Sequence, residues 1–554
     1  PFSAELAKRV PNLLHLRTRA AALRGPLALV PFAGSDADCA VVAVFPSAPL
    51  PVVTRVAPAA RPDTAGAPAD SAARARRDSV ATARDRAPRR IVYVAFAPES
   101  AEPPAGVASA LVVAGTGEAA QRAAARALAG EVAAEEGEAA LRPSPAWPAA
   151  RTLERAPARE AGMSADSLAR IDAAMRAALA NEVYTGAVVA VGRHGKLVKM
   201  TGYGRTSGRP VDPASTLFDI ASLTKVVGTT AAVMALVEDG RVRLDAPVRR
   251  YVPQFRGGEG DKGDVTIRHL LTHTSGLPAG ADLFGETSSP DAALRRVLRT
   301  SLVRAPGEKV EYSDFGMILL AEVVRRRAGE PLDRFLARRV FIPLEMRSTM
   351  YDPPLVHLDR TVPTAQRSER PFELDGVVHD GNAFRLGGVT GHAGLFSTAP
   401  DLAVYAQTLL NGGAYGDRRI WSPGTVRQFT TKQANAGTRT LGWDTPAPRS
   451  SAGGYLSARA YGHTGYTGTS IWIDPARDLF VILLTNRTYG PGTAGQILAL
   501  RSAVANAAAR AITDTPIRAR AGTAEAAAEI ARERAKKRPR PAPRRPTRPR
   551  GRRG

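Results

Sequence analysis

Residues 218–240 read FDIASLTKVVGTTAAVMALVEDG, and the pairing of Ser222 with Lys225 inside this stretch decides how the chain is understood. A polar-edged start passes into a run of small and apolar residues, which predicts a buried helix. Three residues span slightly less than one helical turn, so Ser222 and Lys225 share a face. An ammonium on an apolar face costs desolvation energy, and desolvation lowers an amine pKa toward the range where it can take a proton. An amine beside a hydroxyl activates it as a nucleophile. The positive end of the helix dipole further favours an anionic oxygen at the helix start. Alone, a Ser-x-x-Lys match is expected by chance about once or twice in a chain of this length at ordinary residue frequencies. The reading therefore depends on what accompanies it.

Two other stretches carry matching chemistry. VEYSDFG (310–316) sets Tyr312, Ser313 and Asp314 ahead of a helix, and a phenol near a serine–lysine pair can shuttle a proton between nucleophile and leaving group. YGHTGYTGTSIWIDP (461–475) opens a strand with His463, Thr464 and Gly465. Small residues there let a substrate approach the backbone, and the N–H beyond Gly465 can serve as an oxyanion donor.

Ser222-Leu223-Thr224-Lys225, Tyr312-Ser313-Asp314 and His463-Thr464-Gly465, in this order, resemble the motifs of the serine β-lactamase and penicillin-binding-protein superfamily. The branch most similar is that of class C β-lactamases, D-stereospecific peptidases and related esterases, which also uses phrases like LLTHTSGLP (270–278) and GHAGLFSTAPDL (391–402). The resemblance covers roughly 155–512. It implies an antiparallel sheet flanked by helices with an inserted helical region, and catalysis through an acyl-enzyme without metal or cofactor. It makes Ser222 the acylated nucleophile and Lys225 its base, shared with Tyr312, which protonates the leaving group. The oxyanion hole falls to the N–H groups of Ser222 and Tyr466, and Asp314, His463, Thr464, Gly465 and His392 fall to substrate binding. A periplasmic or secreted location also follows from the resemblance.

Two positions depart from the pattern. His463 stands where β-lactamases usually carry lysine. With an unperturbed pKa of ~6.5 it is expected to be partly charged at neutral pH, so that capture of a substrate carboxylate weakens as pH rises. Asp314 stands where many relatives place asparagine. A carboxylate only accepts hydrogen bonds, which disfavours a penicillin-like acylamino contact and favours a peptide, amide or ester.

The rest of the chain frames this region. Its 554 residues allow more than one core. In residues 1–155, LALVPF, CAVVAVF, IVYVAF and SALVVAG read as buried strands, with a helix after the last and a disordered insert near 58–90, so a small α/β domain is expected before an α+β domain at 156–514. Residues 90–155 resemble the accessory α/β domain of family 3 glycoside hydrolases, whose catalytic barrel is absent here. Gly115-x-Gly117-x-x-Ala120 partly matches a dinucleotide fingerprint, but EVAAEEGEAALRPSP after it is no second strand, so no dinucleotide is expected.

Of the net charge of +24, residues 531–554 supply twelve Lys/Arg against one Glu, so nearly half of the basicity sits in a tail. Residues 515–554 are expected to be disordered and to attract anions without specific nucleic-acid recognition. The single cysteine, Cys39, excludes an intramolecular disulfide framework. No apolar run is read as long enough to span a bilayer, and no leader is visible at Pro1.

Within 156–514, Ser164 caps a helix carrying Leu168, Ile171, Met175 and Leu179, two strands meet at His194-Gly195, and Thr398 with Asp401 reads as a helix cap. His269 and His273, four apart, lack the intervening glutamate and third ligand of a metal site and are read as packing residues. His392 either lines the cleft or braces a glycine-rich turn, and Trp443 is either an apolar wall for substrate or core. The function expected is hydrolysis of an amide, peptide or ester bond in a small-molecule or peptide substrate such as a muropeptide. The alternatives are a carboxylesterase on small acyl esters and a non-catalytic wall- or anion-binding protein.

Overall fold

The computed structural model describes the backbone of 27–31, 39–44, 90–97 and 109–114, together with residues 153–537 apart from 207 and 366–373. The four N-terminal stretches are strands β1 (Leu27–Pro31), β2 (Cys39–Val44), β3 (Arg90–Ala97) and β4 (Ser109–Ala114), in the order β1-β2-β3-β4. The first pair is antiparallel and the other two are parallel. The helix expected after β4 and the insert ahead of β3 lie outside the described residues.

The larger domain is built on a sheet in which both chain ends meet. Strands β5 (Gly186–Arg193), β6 (Lys196–Thr206) and β7 (Arg209–Pro210) come from its start. Strands β8 (Tyr461–Thr464), β9 (Ser470–Asp474) and β10 (Leu479–Thr485) come from its end. The order is β8-β9-β10-β5-β6-β7, with all pairs antiparallel, and Leu479↔Arg193 through Thr485↔Ala187 join the two halves. The β5–β6 turn places His194 at φ 53° and Gly195 at φ 72°, two left-handed residues that match the twist of a tight hairpin.

Because successive side chains of a strand point to opposite faces, β5 feeds two cores. Ala187, Val189 and Val191 pack with Ile171, Met175, Ile497 and Val504, so α1 (Ala165–Ala180) and α6 (Ala494–Arg510) cover one face. Val188 and Ala190 face the helical region between the strands, including α2 (Ala221–Glu238), α3 (Pro290–Arg299), α4 (Asp314–Ala328) and α5 (Ala399–Leu410). Ser164 caps α1, accepting from Ser167 N at 3.2 Å as its spacing predicts. The run Ala221–Glu238 is long and apolar enough to cross a membrane, contrary to the reading of the bare sequence, but 83% of it is buried inside the domain. It is the central core helix.

At the start of α5 the expected cap takes another form. Thr398 holds the N-cap position with no side-chain bond, while Asp401 turns away to accept from Ser348 N (2.8 Å) and Thr349 Oγ1 (2.9 Å). Burial raises the Asp401 carboxyl from 3.8 to about 6, against these bonds and nearby Arg360. A folded-state pKa above the unfolded value means the contribution is present below the unfolded value and lost as pH rises through about 6. An Asp401→Asn variant, which keeps an acceptor, should therefore gain thermal stability relative to the parent as pH rises from 4 to 7, by up to about 3 kcal/mol. A melting-temperature difference independent of pH would refute this.

Residues 515–554 differ from the expected structureless tail as far as they are described. Arg520 donates to the carbonyls of Leu456 (2.7 Å), Gly453 (2.8 Å) and Ala447 (3.3 Å), and α7 (Ala524–Lys537) follows. Glu525 of α7 accepts from Asn506 Nδ2 of α6 at 2.7 Å. Satisfied backbone carbonyls hold this segment together with Ile517 and Ala519, which pack against the core under α1 and α6.

Candidate active site

The nucleophile candidate lies at a strained corner. Ala221 has φ 47°, a conformation that costs a non-glycine residue about 1 kcal/mol or more. Asp219 Oδ1 accepts from Ala221 N at 2.8 Å and secures it. After this corner the chain turns tightly through Ala221–Leu223 and then widens into a π-helical segment, Lys225–Thr230, before α2 becomes regular. Such segments recur at functional sites because they re-aim side chains. Here Lys225 Nζ donates to Ser222 Oγ at 2.9 Å. The shared face read from the spacing is present.

Lys225 is fully buried. Nζ also donates to the His392 carbonyl at 2.9 Å and meets Asp314 Oδ1 at 2.8 Å. The Asp314 contact is a charge pair, because Oδ1 lies off the hydrogen-bonding direction. Two acceptors, Ser222 Oγ and the His392 carbonyl, thus take N–H groups of the amine, and the Asp314 carboxylate adds a negative charge beside it. The expected lowering of its pKa is therefore corrected. Burial does pull it down, but the electrostatic attraction of Tyr312 and Asp314 outweighs burial and holds Lys225 above the ordinary lysine value.

Tyr312 is the hub of the cleft. Its ring faces Lys225 Nζ at 4.9 Å, and the rings of His273 and His463 lie 4.6 and 6.0 Å from it. Ser313 fixes this corner: it caps α4, donates Oγ–H to Pro278 O at 2.6 Å, and gives its backbone N–H to His273 Nδ1 at 3.1 Å. His269 Nδ1 accepts from Thr266 N in a capping box. The two histidines of the i,i+4 pair thus brace different segments.

His463 is buried, and its Nδ1–H donates to the Thr464 carbonyl at 2.8 Å. Desolvation, with Arg439 and Lys225 nearby, pushes it well below the ordinary histidine value. The expected partial charge is thus also corrected: His463 is neutral at pH 7 and cannot capture a carboxylate by charge. His392 departs as well. It is 1% exposed, with Nε2 3.0 Å from Asp380 Oδ1 and Nδ1 3.0 Å from Thr390 Oγ1, so its side chain braces the glycine-rich turn instead of lining the cleft. Its carbonyl is what reaches the site. Gly391 permits this, because a Cβ there would lie 2.0 Å from Met317 O.

The remaining wall is the β8–β9 turn. Thr467 Oγ1 donates to Asp219 O (2.8 Å) and Thr469 Oγ1 to Ile220 O (3.0 Å), clamping the turn to the strained corner. From behind, Arg501 of α6 donates to the carbonyls of Gly465 (2.6 Å), Thr469 (2.9 Å) and Gly468 (3.2 Å). In a trans peptide the C=O and N–H point oppositely, so the Tyr466 N–H points away from Arg501. Neither it nor the Ser222 N–H has an acceptor among the described residues. The Tyr466 side chain is 66% exposed and packs beside His379 and Arg487. Trp443 is wholly buried against Tyr405 and Tyr461, so it is core and not a substrate wall.

The sequence reading missed Arg439, which lies 5.4 Å over the Tyr312 ring. It also missed Asp380 and Arg501. No motif signals them: Arg439 and Arg501 act on segments remote in the chain, and Asp380 meets His392 twelve residues on, outside any helical or strand spacing.

The profile of the Beta-lactamase family matches residues 171–505. The chain belongs to this family of serine hydrolases. It is 36% identical over 304 residues to an Escherichia coli K12 protein provisionally named a D-alanyl-D-alanine carboxypeptidase, covering 50% of this chain and 70% of that one. It is 32% identical over 345 residues to an N-acetylmuramyl-L-alanine amidase of Bacillus subtilis, covering 56% and 78%. A penicillin-binding-protein homolog from Caulobacter crescentus shares the fold, with a TM-score of 0.51 at 22% identity over 62% of this chain and 99% of that one.

Proposed function

We propose that the protein hydrolyses an amide or peptide bond of a peptidoglycan fragment through an acyl-enzyme on Ser222. The observation that carries this is the 2.9 Å contact between Lys225 Nζ and Ser222 Oγ beside the Tyr312 ring. In this reading Ser222 Oγ adds to the substrate carbonyl carbon and gives its proton to the Tyr312–Lys225 pair. The carbonyl oxygen becomes anionic and takes the N–H groups of Ser222 and Tyr466. Tyr312 passes the proton to the departing nitrogen as the C–N bond breaks. Water then adds to the acyl-enzyme by the same route, releasing the acid and restoring Ser222.

The names of the E. coli and B. subtilis relatives favour peptidoglycan amides over simple esters. Asp314 adds a chemical reason: it presents acceptors only, so it suits an acyl group that offers an N–H or O–H and repels one that offers a carbonyl.

Mass spectrometry after treatment with a fluorophosphonate should show one adduct, on Ser222. A muropeptide mixture should then lose alanine or peptide faster, per unit kcat/KM, than a p-nitrophenyl acyl ester is cleaved. Faster ester cleavage with no muropeptide product would make the protein a carboxylesterase. Failure of every acylating agent to label Ser222 would make it a binding protein.

A further inference from the structure

We propose that Asp380 is a positioning residue of the Ser222–Lys225 pair: acting through His392, it keeps the amine on the hydroxyl and off the carboxylate of Asp314. This role does not depend on the substrate, and so goes beyond the amide-hydrolase reading.

The amine has two ways to settle. Asp314 Oδ1 is 2.8 Å from Nζ but off the hydrogen-bonding direction, and the donors go instead to Ser222 Oγ and the His392 carbonyl, each at 2.9 Å. A carboxylate is the strongest acceptor an ammonium meets here, so a small shift of Nζ would trade the Ser222 contact for a direct charge-assisted bond. The Ser222 hydroxyl, a neutral acceptor, cannot hold Nζ against that pull. The His392 carbonyl can, because it pins Nζ at a second point, but only while it is itself fixed. Thr229 Oγ1 and Tyr351 Oη hold the carbonyls of Gly391 (2.7 Å) and Thr390 (2.9 Å), which leaves the next carbonyl, that of His392, to its own ring.

Asp380 supplies the fixing. The His392 ring is buried, and its partner from outside the turn, among the described residues, is Asp380, whose Oδ1 accepts from Nε2 at 3.0 Å. The same Oδ1 accepts from Ala383 N at 2.8 Å and caps the short helix Gly381–Arg385, so the carboxylate is anchored on its own side as well. Burial pushes the Asp380 carboxyl up, but the charge and hydrogen bond of His392, Ala383 N and the charge of Lys225 hold it well below the ordinary carboxylate value, so it stays ionised around neutral pH. The backbone just before Asp380 returns to the nucleophile. His379 N donates to Asp219 Oδ2 at 2.7 Å, and Asp219 Oδ1 accepts from Ala221 N at 2.8 Å. The bonds therefore close a ring, from the corner preceding Ser222 through Asp219, Asp380, His392 and Lys225 back to Ser222 Oγ, and every link lies between 2.7 and 3.0 Å. Opening the ring at Asp380 frees the carbonyl that opposes Asp314.

The test reads position as well as rate. In a crystal of the Asp380→Ala protein, Lys225 Nζ should leave Ser222 Oγ and bond directly to Asp314, and an unchanged Ser222–Lys225 contact would overturn the assignment. Fluorophosphonate labelling of Ser222 should slow about 10²-fold, the scale of a misplaced catalytic group. His392→Ala should match that loss, and the two substitutions together should cost no more than either alone. Asp314→Asn removes the competing carboxylate, so it should speed labelling at least about tenfold more in the Asp380→Ala background than in the parent, a rescue that general loosening of the fold would not give. Losses that multiply, or a gain from Asp314→Asn that is equal in both backgrounds, would overturn the role of Asp380. Where Asp380→Ala does not fold, Asp380→Asn, which keeps an oxygen for Ala383 N but drops the charge facing His392, carries the same cycle. A displaced Nζ in the variant crystal, with a parent that no acylating agent labels, would retain the positioning and remove the hydrolase reading.

Discussion

A Lys225→Met variant is expected to acylate Ser222 about 10²–10⁴ times more slowly than the parent, the range for loss of a positioned proton-transfer group. Methionine matches the length of the side chain and suits a fully buried position, but it can neither donate to Ser222 Oγ nor relay a proton to Tyr312. The rate of fluorophosphonate labelling checks this, and labelling at the parental rate would remove Lys225 from the mechanism. The charge pair with Asp314 adds a direction in pH. Because Tyr312 and Asp314 hold Lys225 above the ordinary lysine value against the pull of burial, its amine loses a proton only toward alkaline pH, and activity should rise as pH increases from neutral. Asp314→Asn removes one source of that stabilisation, lowers the Lys225 pKa and moves the rising limb to lower pH. An unshifted limb would show that the pair does not govern the base.

Gly465→Ala is the second large effect. A Cβ at Gly465 would lie 2.1 Å from Thr469 Oγ1 and 2.5 Å from Ile220 O, and the Oγ1–O hydrogen bond between those two atoms is what clamps the turn to the corner preceding Ser222. Both cannot stay in place. Movement of the turn displaces the Tyr466 N–H, and loss of one oxyanion donor costs about 10²–10³ in rate. Neutral-ester turnover should fall by that factor while the circular dichroism spectrum is retained, because Arg501 still holds three carbonyls of the turn. Parental turnover would mean that the turn supplies no oxyanion donor.

Much of the fold was legible because its signals are local. The α1 stripe, the β5–β6 hairpin at His194-Gly195 and the three catalytic-type motifs each depend on spacings within a few residues, which periodicity and turn chemistry report directly. The errors have the opposite origin. The pKa of Lys225 was read from burial alone, yet the deciding groups, Tyr312 and Asp314, are brought to it by α4. His463 was given its solution pKa, yet burial and the Arg439 charge suppress protonation. His392 was a candidate for the cleft until Asp380 and Thr390 claimed its ring.

The sequence by itself determined that a hydroxyl and an amine stand one turn apart, since helical geometry admits no other arrangement for three residues of spacing. It also determined the strand pattern that closes one sheet from both ends of the domain. Only the tertiary structure decided which charges the amine meets, which carbonyl, 167 residues away in the chain, accepts from it, and that an unmarked arginine stands over Tyr312. Electrostatic environment depends on distance through space, and no local rule of spacing encodes it.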